Sequence, residues 1–141
     1  MIAIGSDHGG FELKGHIIEH LKEKGIEVKD FGTYSEASVD YPDCAKPVCK
    51  AVLDGECECG ILICGTGIGI SMAANKFKGI RAALCGDVFS AKMSKEHNNA
   101  NIICMGGRVL GRELANMIVD TYLEAEFQAA DMPTELKKFT K

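Results

Sequence analysis

The chain has 141 residues, of which 46% are hydrophobic and 26% are charged, and its formal net charge is -4. This length suits one domain with a well-buried core, and the negative balance argues against nucleic acid or an anionic membrane as the main partner, since both bind basic surfaces. No apolar run is long enough to span a bilayer, and the first ten residues lack the features of a secretory signal, so we expect a cytoplasmic protein without a membrane partner.

Short apolar runs alternate with helical patterns along the chain. A strand is predicted over residues 2–6, followed by an amphipathic helix that ends at Gly25 and by a second strand over residues 26–31. A helix that begins near Tyr41 is expected to end near Gly55. The continuously apolar run 60–64 is typical of a central strand that helices cover on both faces.

The second half of the chain continues the alternation. A helix is expected from about Gly69, and strands are predicted over 80–85 and 101–106, each followed by a helix, over 87–97 and 111–124. Five strands alternating with helices predict an α/β fold: a single-domain, Rossmann-like three-layer sandwich with a five-stranded parallel sheet. We expect residues 1–127 to form this domain and residues 128–141 to form a C-terminal arm of it.

The expected ligand site lies where the strands end, because open parallel sheets bind ligands beyond the carboxyl ends of their strands. The loops after the first, third, fourth and fifth strands read SDHGG, GTGIG, GDVFS and GGRVLG. They carry or adjoin Asp7, His8, Cys64 and Arg108. Acid–base groups, a thiol and a guanidinium are therefore predicted at one edge of the sheet.

The glycine loop after the third strand does not match a dinucleotide-binding loop. Gly65, Gly67 and Gly69 are followed by Ile70 where a last glycine would stand, and no Walker lysine follows. Two interpretations remain: a turn that directs backbone N–H groups at an anion, or a simple strand-to-helix turn that needs a positive φ.

Cys64 stands at the end of a strand and before a helix, a position that favours the thiolate. Such a thiolate could act as a nucleophile or as a base, whereas the alternative is a buried apolar cysteine. The seven cysteines are an odd number with no C-x-x-C pair, so neither a zinc site nor a disulfide framework is indicated. Reduced thiols are expected.

For the other candidate residues, a purely structural role is an alternative to a functional one. His97 and Asn98 end a polar helix, where a histidine can simply interact with the helix dipole. Arg108 could bind an anion or pair with a surface acid. His16 and His20 lie one helical turn apart, which is weak evidence for a metal, and no metal site is expected.

Five stretches resemble the family of ribose-5-phosphate isomerase B and galactose-6-phosphate isomerase. They are GSDHGGFELK, GTYSEASVDYP, GILICGTGIGISMAANKFKGIRAALC, SKEHNNANIICMGGRVLG and ELANMIVDTYL, which extend from Met1 to about Phe127. The cysteine before GTGIG is similar to the ribose-5-phosphate branch. The resemblance implies an aldose–ketose isomerase that interconverts D-ribose 5-phosphate and D-ribulose 5-phosphate in the pentose phosphate pathway through an enediolate, without metal or cofactor.

The resemblance also implies a role for each candidate residue. Cys64 would move the proton between C2 and C1, the backbone N–H groups of Gly65, Gly67, Ile68 and Gly69 with Thr66 would hold the oxyanion, and His97 would help to open the furanose ring. The sugar site would be lined by Asp7, His8, Tyr41 and Asn98, and Arg108 would bind the phosphate. The family forms homodimers, sometimes paired into tetramers, in which the partner subunit would supply His97, Asn98 and Arg108.

The C-terminal arm departs from the family pattern. Where the family has two phosphate-binding arginines, this chain has Asp131 and Glu135. Three explanations stay open: Lys137 or Lys138 replaces them, the substrate is another or an unphosphorylated sugar whose hydroxyls bind the two acids, or the activity on ribose 5-phosphate is weak.

Two interpretations from other classes remain. A nucleotide-binding module could use the same sheet and glycine loop, but it would not require Cys64 or His97. A thiol-redox protein would need a resolving cysteine, for which only Cys85 or Cys104 could approach Cys64 in space.

Overall fold

The computed structural model describes residues 1–129, which form one parallel sheet with helices on both faces. The strands are β1 (Ile2–Ser6), β2 (Val28–Asp30), β3 (Cys59–Cys64), β4 (Ala82–Leu84) and β5 (Ile102–Gly106). A 3-10 turn spans His8–Gly10, and the helices are α1 (Phe11–Glu23), α2 (Tyr41–Leu53), α3 (Ile68–Ala74), α4 (Val88–Glu96) and α5 (Arg112–Glu124).

The order of the strands is β2-β1-β3-β5-β4, with every neighbouring pair parallel. The predicted five-stranded parallel sheet is thereby confirmed. The two edge strands, β2 and β4, are shorter than their apolar patterns predict. An edge strand has a ladder partner on one side only, and both strands are incompletely buried.

Two apolar layers separate the sheet from its helices. Ile4, Ile61 and Ile103 face the layer that includes α1, α4 and α5, whereas Ala3, Leu62 and Ile102 face the layer of α2 and α3. Neighbouring residues of one strand point to opposite faces, so continuous apolar runs are what a doubly covered sheet requires. The three-layer sandwich is thus confirmed.

The register of the sheet aligns the carboxyl ends of the three central strands, β1, β3 and β5. Ser6 of β1 lies opposite Ile63 of β3, and Cys64 of β3 lies opposite Gly106 of β5. From β1 the chain crosses to β2 on one side, while β3 lies on the other, which makes the β1–β3 boundary a topological switch point. The loops that follow β1, β3 and β5 therefore leave the sheet side by side.

Candidate active site

Three loops meet at the carboxyl edge of the sheet. The Asp7 N–H donates to the Ile63 carbonyl at 3.1 Å, and the Gly107 N–H donates to the Cys64 carbonyl at 2.8 Å. The first and last loops also touch, because a Cβ added to Gly107 would lie 2.6 Å from the Gly9 carbonyl oxygen. The loop after β3 thus lies between the other two, at the sheet edge where the sequence predicts these loops.

Cys64 is the last residue of β3 and is 5% exposed. Its Sγ accepts a hydrogen bond of 3.1 Å from the N–H of Gly67. Gly67 has a φ of 83°, in the left-handed region that favours glycine, and this conformation turns its N–H back toward the sulfur. The turn therefore holds a backbone donor against the sulfur of Cys64.

The next residues of the loop are also engaged. The Ile68 N–H donates to Thr66 Oγ1 at 3.2 Å, and both of these residues are exposed. The resemblance implies oxyanion donors at Gly67 and Ile68, and in this structure their N–H groups are directed at the side chains of Cys64 and Thr66. Both N–H groups already have an acceptor in this structure, so an oxyanion held by this loop would have to share them with those side chains or replace the side chains as acceptor.

Tyr41 joins this loop from the first turn of α2. Its ring lies so close to Gly69 that a Cβ added there would be 2.8 Å from the ring carbon Cζ. The ring remains 41% exposed. Any side chain at position 69 would displace the ring, which places Tyr41 beside the glycine loop as predicted.

Asp7 and His8 shape the neighbouring loop. Oδ1 of Asp7 accepts from the N–H groups of Gly9 and Gly10, at 2.9 and 3.2 Å, and so caps the 3-10 turn. Nδ1 of His8 accepts from the Val39 N–H at 3.2 Å, so the proton of the neutral imidazole is assigned to Nε2. A structural role for Asp7 therefore accompanies its predicted role in binding.

Arg108 lies against the glycine loop of its own chain. The resemblance implies that a partner subunit supplies this arginine to the site, and that expectation stays a prediction. Its N–H donates to the Gly65 carbonyl at 3.0 Å, and a Cβ added to Gly65 would lie 3.4 Å from Nη1. The reason is the register, because Arg108 follows just two residues after the Cys64–Gly106 pair.

His97 and Asn98 lie at the other edge of the sheet. His97 caps the end of α4, and the Ala100 N–H returns to the Ser94 carbonyl just before β5 begins. Since β5 then runs from Ile102 to Gly106, the two ends are separated by roughly 13 Å along the strand. One chain does not bring His97 or Asn98 to Cys64.

Lys14 is a residue whose position the sequence reasoning missed. An amphipathic helix is expected to turn its lysines to solvent, yet Lys14 is 1% exposed, and its Nζ donates to Asp30 Oδ1 at 2.7 Å and to the Thr33 carbonyl. This contact fixes the start of the segment that joins β2 to α2. Further along the same segment, the Val39 N–H donates to His8. The available signal was the spacing of Lys14 with Ile17 and Leu21, three and seven residues apart on the buried face.

The other six cysteines behave as apolar residues. Burial raises the pKa of Cys49 and of Cys59 to about 11 and that of Cys104 well above the usual value, and it also raises the pKa of the remaining three, Cys44, Cys57 and Cys85. All seven thiols are free. These six groups are held as neutral thiols near neutral pH.

The geometry also argues against a redox pair at Cys64. Cys104 lies opposite Leu62, so its Cα is diagonal to that of Cys64 at about 8 Å, and Cys85 follows a strand two positions away, at about 10 Å. Both separations exceed the span of a disulfide. Within residues 1–129, no three His, Cys, Asp or Glu side chains are grouped to hold a metal, and no helix is long and apolar enough to cross a membrane.

Asp131 and Glu135 lie outside the described residues. The preceding segment can be followed to its contact with α4, where the Gln128 N–H donates to the Glu96 carbonyl at 2.8 Å. The last described residues therefore lie next to His97.

Comparisons with known proteins agree on one family. A model of the family described as ribose/galactose isomerase matches residues 2–139. Ribose-5-phosphate isomerase B of Escherichia coli is 54% identical over 127 residues, which cover 90% of this chain and 85% of that protein. The structure of ribose-5-phosphate isomerase B of Clostridium thermocellum superposes with a TM-score of 0.91 at 55% identity, covering 99% of this chain and 91% of the other.

A further relative bears the name of a different substrate. D-erythrulose-4-phosphate isomerase of Pectobacterium atrosepticum is 42% identical over 139 residues, covering 97% of this chain and 91% of that protein. Similarity at this level therefore extends across proteins named for sugars of different length.

Proposed function

This chain belongs to the ribose/galactose isomerase family and is an isomerase, and on that premise we propose that it interconverts D-ribose 5-phosphate and D-ribulose 5-phosphate. The observation that carries the proposal is Cys64, whose sulfur accepts the Gly67 N–H where three loops meet. That arrangement provides one base beside a set of backbone donors.

The chemistry needs only proton transfers within one substrate. The Cys64 thiolate takes the C2 proton of the open-chain aldose, and the C–H electron pair forms the C1–C2 double bond as the C1 carbonyl oxygen becomes an enediolate oxygen. Return of the proton to C1, with loss of the C2 hydroxyl proton to O1, gives the ketose. No electron leaves the substrate, so the reaction needs no cofactor.

The enediolate oxygen requires donors at the same place. We assign these to the backbone of residues 65–69 with Thr66, where an oxyanion would share the N–H groups of Gly67 and Ile68 with their present acceptors or replace those acceptors. Loss of one such donor costs about 2.7–4 kcal/mol of transition-state stabilisation in other enzymes. Asp7, His8 and Tyr41 line the sugar beside this loop.

We propose a homodimer, or a pair of dimers, with shared sites. His97 would assist ring opening and Asn98 would bind the sugar, but both lie at the far edge of their own sheet. Three large apolar residues are exposed at the edge that carries Cys64: Ile68 is 52% exposed, Leu84 44% and Val109 67%. Together with Thr66 they line one cleft. A second copy that covers this apolar surface would complete the site.

The identity of the substrate is the second part of the proposal. Arg108 beside Gly65 provides one cation for a phosphate, whereas Asp131 and Glu135 stand where the family has arginines. These acids favour a second candidate, an isomerase of another sugar phosphate or of an unphosphorylated aldose whose hydroxyls they bind. The name of the erythrulose-4-phosphate relative supports such variation.

Cys64→Ala tests the base. We expect the rate of isomerisation to fall by 10²–10⁴, about the contribution of general acid–base catalysis, while the circular dichroism and melting temperature stay near those of the wild type. Cys104→Ala is the matched control, since Cys104 is a fully buried thiol of the same layer away from the loops. An active Cys64→Ala enzyme would place the base elsewhere.

A substrate panel tests the specificity. Ribose 5-phosphate, erythrose 4-phosphate, galactose 6-phosphate and the corresponding free aldoses are compared by kcat/KM. Strong preference for ribose 5-phosphate with a micromolar KM supports the first candidate, while preference for a free aldose supports the second and contradicts a phosphate clamp.

A further inference from the structure

Arg81 directs its guanidinium at the turn that follows α4. Nη2 donates to the Asn98 carbonyl at 2.6 Å, and Nε lies 3.2 Å from the same oxygen and 3.3 Å from the Asn99 carbonyl. One planar side chain thereby holds two consecutive carbonyl groups directly after His97.

The turn needs such a partner. The last carbonyl groups of α4, from Met93 to Glu96, already accept backbone N–H groups, so Arg81 serves the two carbonyls that follow the helix. The helix dipole also favours a cation at this end. Asn99 has a φ of 52°, in the left-handed region that asparagine adopts more readily than most other residues with a side chain and that is common just after a helix end.

Arg81 is itself held on the opposite side. Its N–H donates to Asn101 Oδ1 at 2.8 Å, its carbonyl accepts from the Asn101 N–H at 3.0 Å, and Asn101 Nδ2 donates to the Gly79 carbonyl at 2.9 Å. The guanidinium therefore extends from a backbone that is locked to the start of β5. This arrangement makes the contact with the turn stiff.

We propose that Arg81 is a positioning residue, which fixes the turn that presents His97 and Asn98 to the site of the neighbouring subunit. The inference rests on the proposed function, in which those two side chains act across the dimer. A misplacement of about 1 Å at a catalytic group can cost about 10²-fold in rate. A lysine could reach one carbonyl but would lack the planar fork that serves two.

Arg81→Met and Arg81→Lys test the proposal, with Asn75→Ala as the matched control. Asn75 also holds the start of β4 through its side chain, accepting from the Ala82 N–H at 2.8 Å and donating to the Ala82 carbonyl at 3.0 Å, but it makes no recorded contact with the turn. Asn75→Ala loosens the start of β4 and keeps the bonds of the turn. Arg81→Met removes the side chain that bonds the turn and keeps the backbone bonds of residue 81.

Three measurements decide the proposal. Arg81→Met should lower kcat/KM at least tenfold, Arg81→Lys should lower it less, and Asn75→Ala should stay within threefold of the wild type. Amide hydrogen exchange at Asn98–Ala100 should accelerate at least tenfold in Arg81→Met only. In a variant that already carries His97→Ala and Asn98→Ala, adding Arg81→Met should lower kcat/KM less than threefold. If Arg81 acts through those two side chains, its loss has little further effect once they are gone.

The proposal is overturned if Arg81→Met keeps its activity or leaves the exchange of the turn unchanged. It is also overturned if the rate losses of Arg81→Met and Asn75→Ala follow their losses of stability alone. The assay uses whichever sugar of the panel the wild type converts. If the wild type converts none, the proposed function fails, and the exchange data still decide whether Arg81 holds the turn.

Discussion

At the scale of single residues, one thiol of seven differs from the rest by its hydrogen bond. Burial raises the pKa of six cysteines, because it disfavours the thiolate. Cys64 is distinguished by its place at the sheet edge, where the Gly67 N–H donates to its sulfur. The same side chain is therefore an apolar filler within the core and a candidate base at the end of β3. The difference lies in the backbone around it.

Alkylation measures this difference directly. At pH 7.5 a thiol with a pKa of about 11, such as Cys49 or Cys59, is thiolate in roughly one molecule of three thousand. We expect iodoacetamide to modify Cys64 first, and mass spectrometry of tryptic peptides locates the label. Because burial raises the pKa of the other six thiols, their reaction should be slow at this pH and should increase as the pH rises.

Substrate provides the control for this experiment. A sugar phosphate that occupies the site should slow the labelling of Cys64 and leave the label on other cysteines unchanged. Equal labelling of all seven thiols at pH 7.5 would show that Cys64 has no special reactivity.

At the scale of elements, the turn between β3 and α3 connects stability with chemistry. Gly67 stands before the first residue of α3 with a φ of 83°, and its N–H is the donor to Cys64. A Cβ there would also lie 2.5 Å from Leu84 Cδ1 and 2.8 Å from the Met105 carbonyl carbon. Both the backbone conformation and the space therefore require glycine.

Gly67→Ala should consequently destabilise the protein and impair catalysis. The left-handed conformation costs a residue with a side chain about 1–2 kcal/mol, and the contact with Met105 adds to that. We expect a lower midpoint in urea denaturation and a rate reduced at least tenfold, since a shifted turn no longer aims its N–H at the sulfur.

Gly111→Ala is the matched control for this change. Gly111 precedes α5 with a φ of -76°, and an added Cβ meets nothing within 4 Å. Its stability and rate should remain close to those of the wild type. Equal losses in the two variants would contradict the role assigned to the Gly67 turn.

At the scale of the whole molecule, the sheet separates the groups that the proposed reaction needs together. Its carboxyl edge gathers Asp7, Cys64 and Arg108, while α4 carries His97 back to the opposite edge. An isologous dimer brings the far edge of one chain to the near edge of another and does so twice. The proposed site is therefore a property of two chains.

Mixing two inactive variants tests this arrangement. In a dimer of Cys64→Ala with His97→Ala, one site has both defects and the other has none. Random association of equal amounts makes half of the dimers mixed, so after co-refolding we expect about a quarter of the wild-type activity. Each variant refolded alone should stay inactive.

The result separates shared from separate sites. If each chain used its own His97, mixing would restore nothing, even though size-exclusion chromatography showed dimers. Chromatography of the wild type also tests the dimer itself.

Local sequence patterns were sufficient for the architecture of this protein. Alternating apolar runs and amphipathic helices determine a doubly covered parallel sheet, because residue periodicity encodes which faces are buried. They also place Asp7, His8 and Cys64 at the carboxyl edge, because all strands of a parallel sheet end at that same edge. The quoted motifs identified the family, which the comparisons confirmed.

Tertiary structure decided what depends on distant neighbours. β2 and β4 are short because they lie at the edges of the sheet. The register between β3 and β5 places Arg108 against Gly65 of its own chain. The segment after β2 buries Lys14, although the pattern of α1 predicts that its lysines face solvent. Only the tertiary structure likewise showed that the Gly67 N–H points at the sulfur of Cys64. Strand order, register and hydrogen-bond direction arise from contacts between residues far apart in the chain, which no local pattern records.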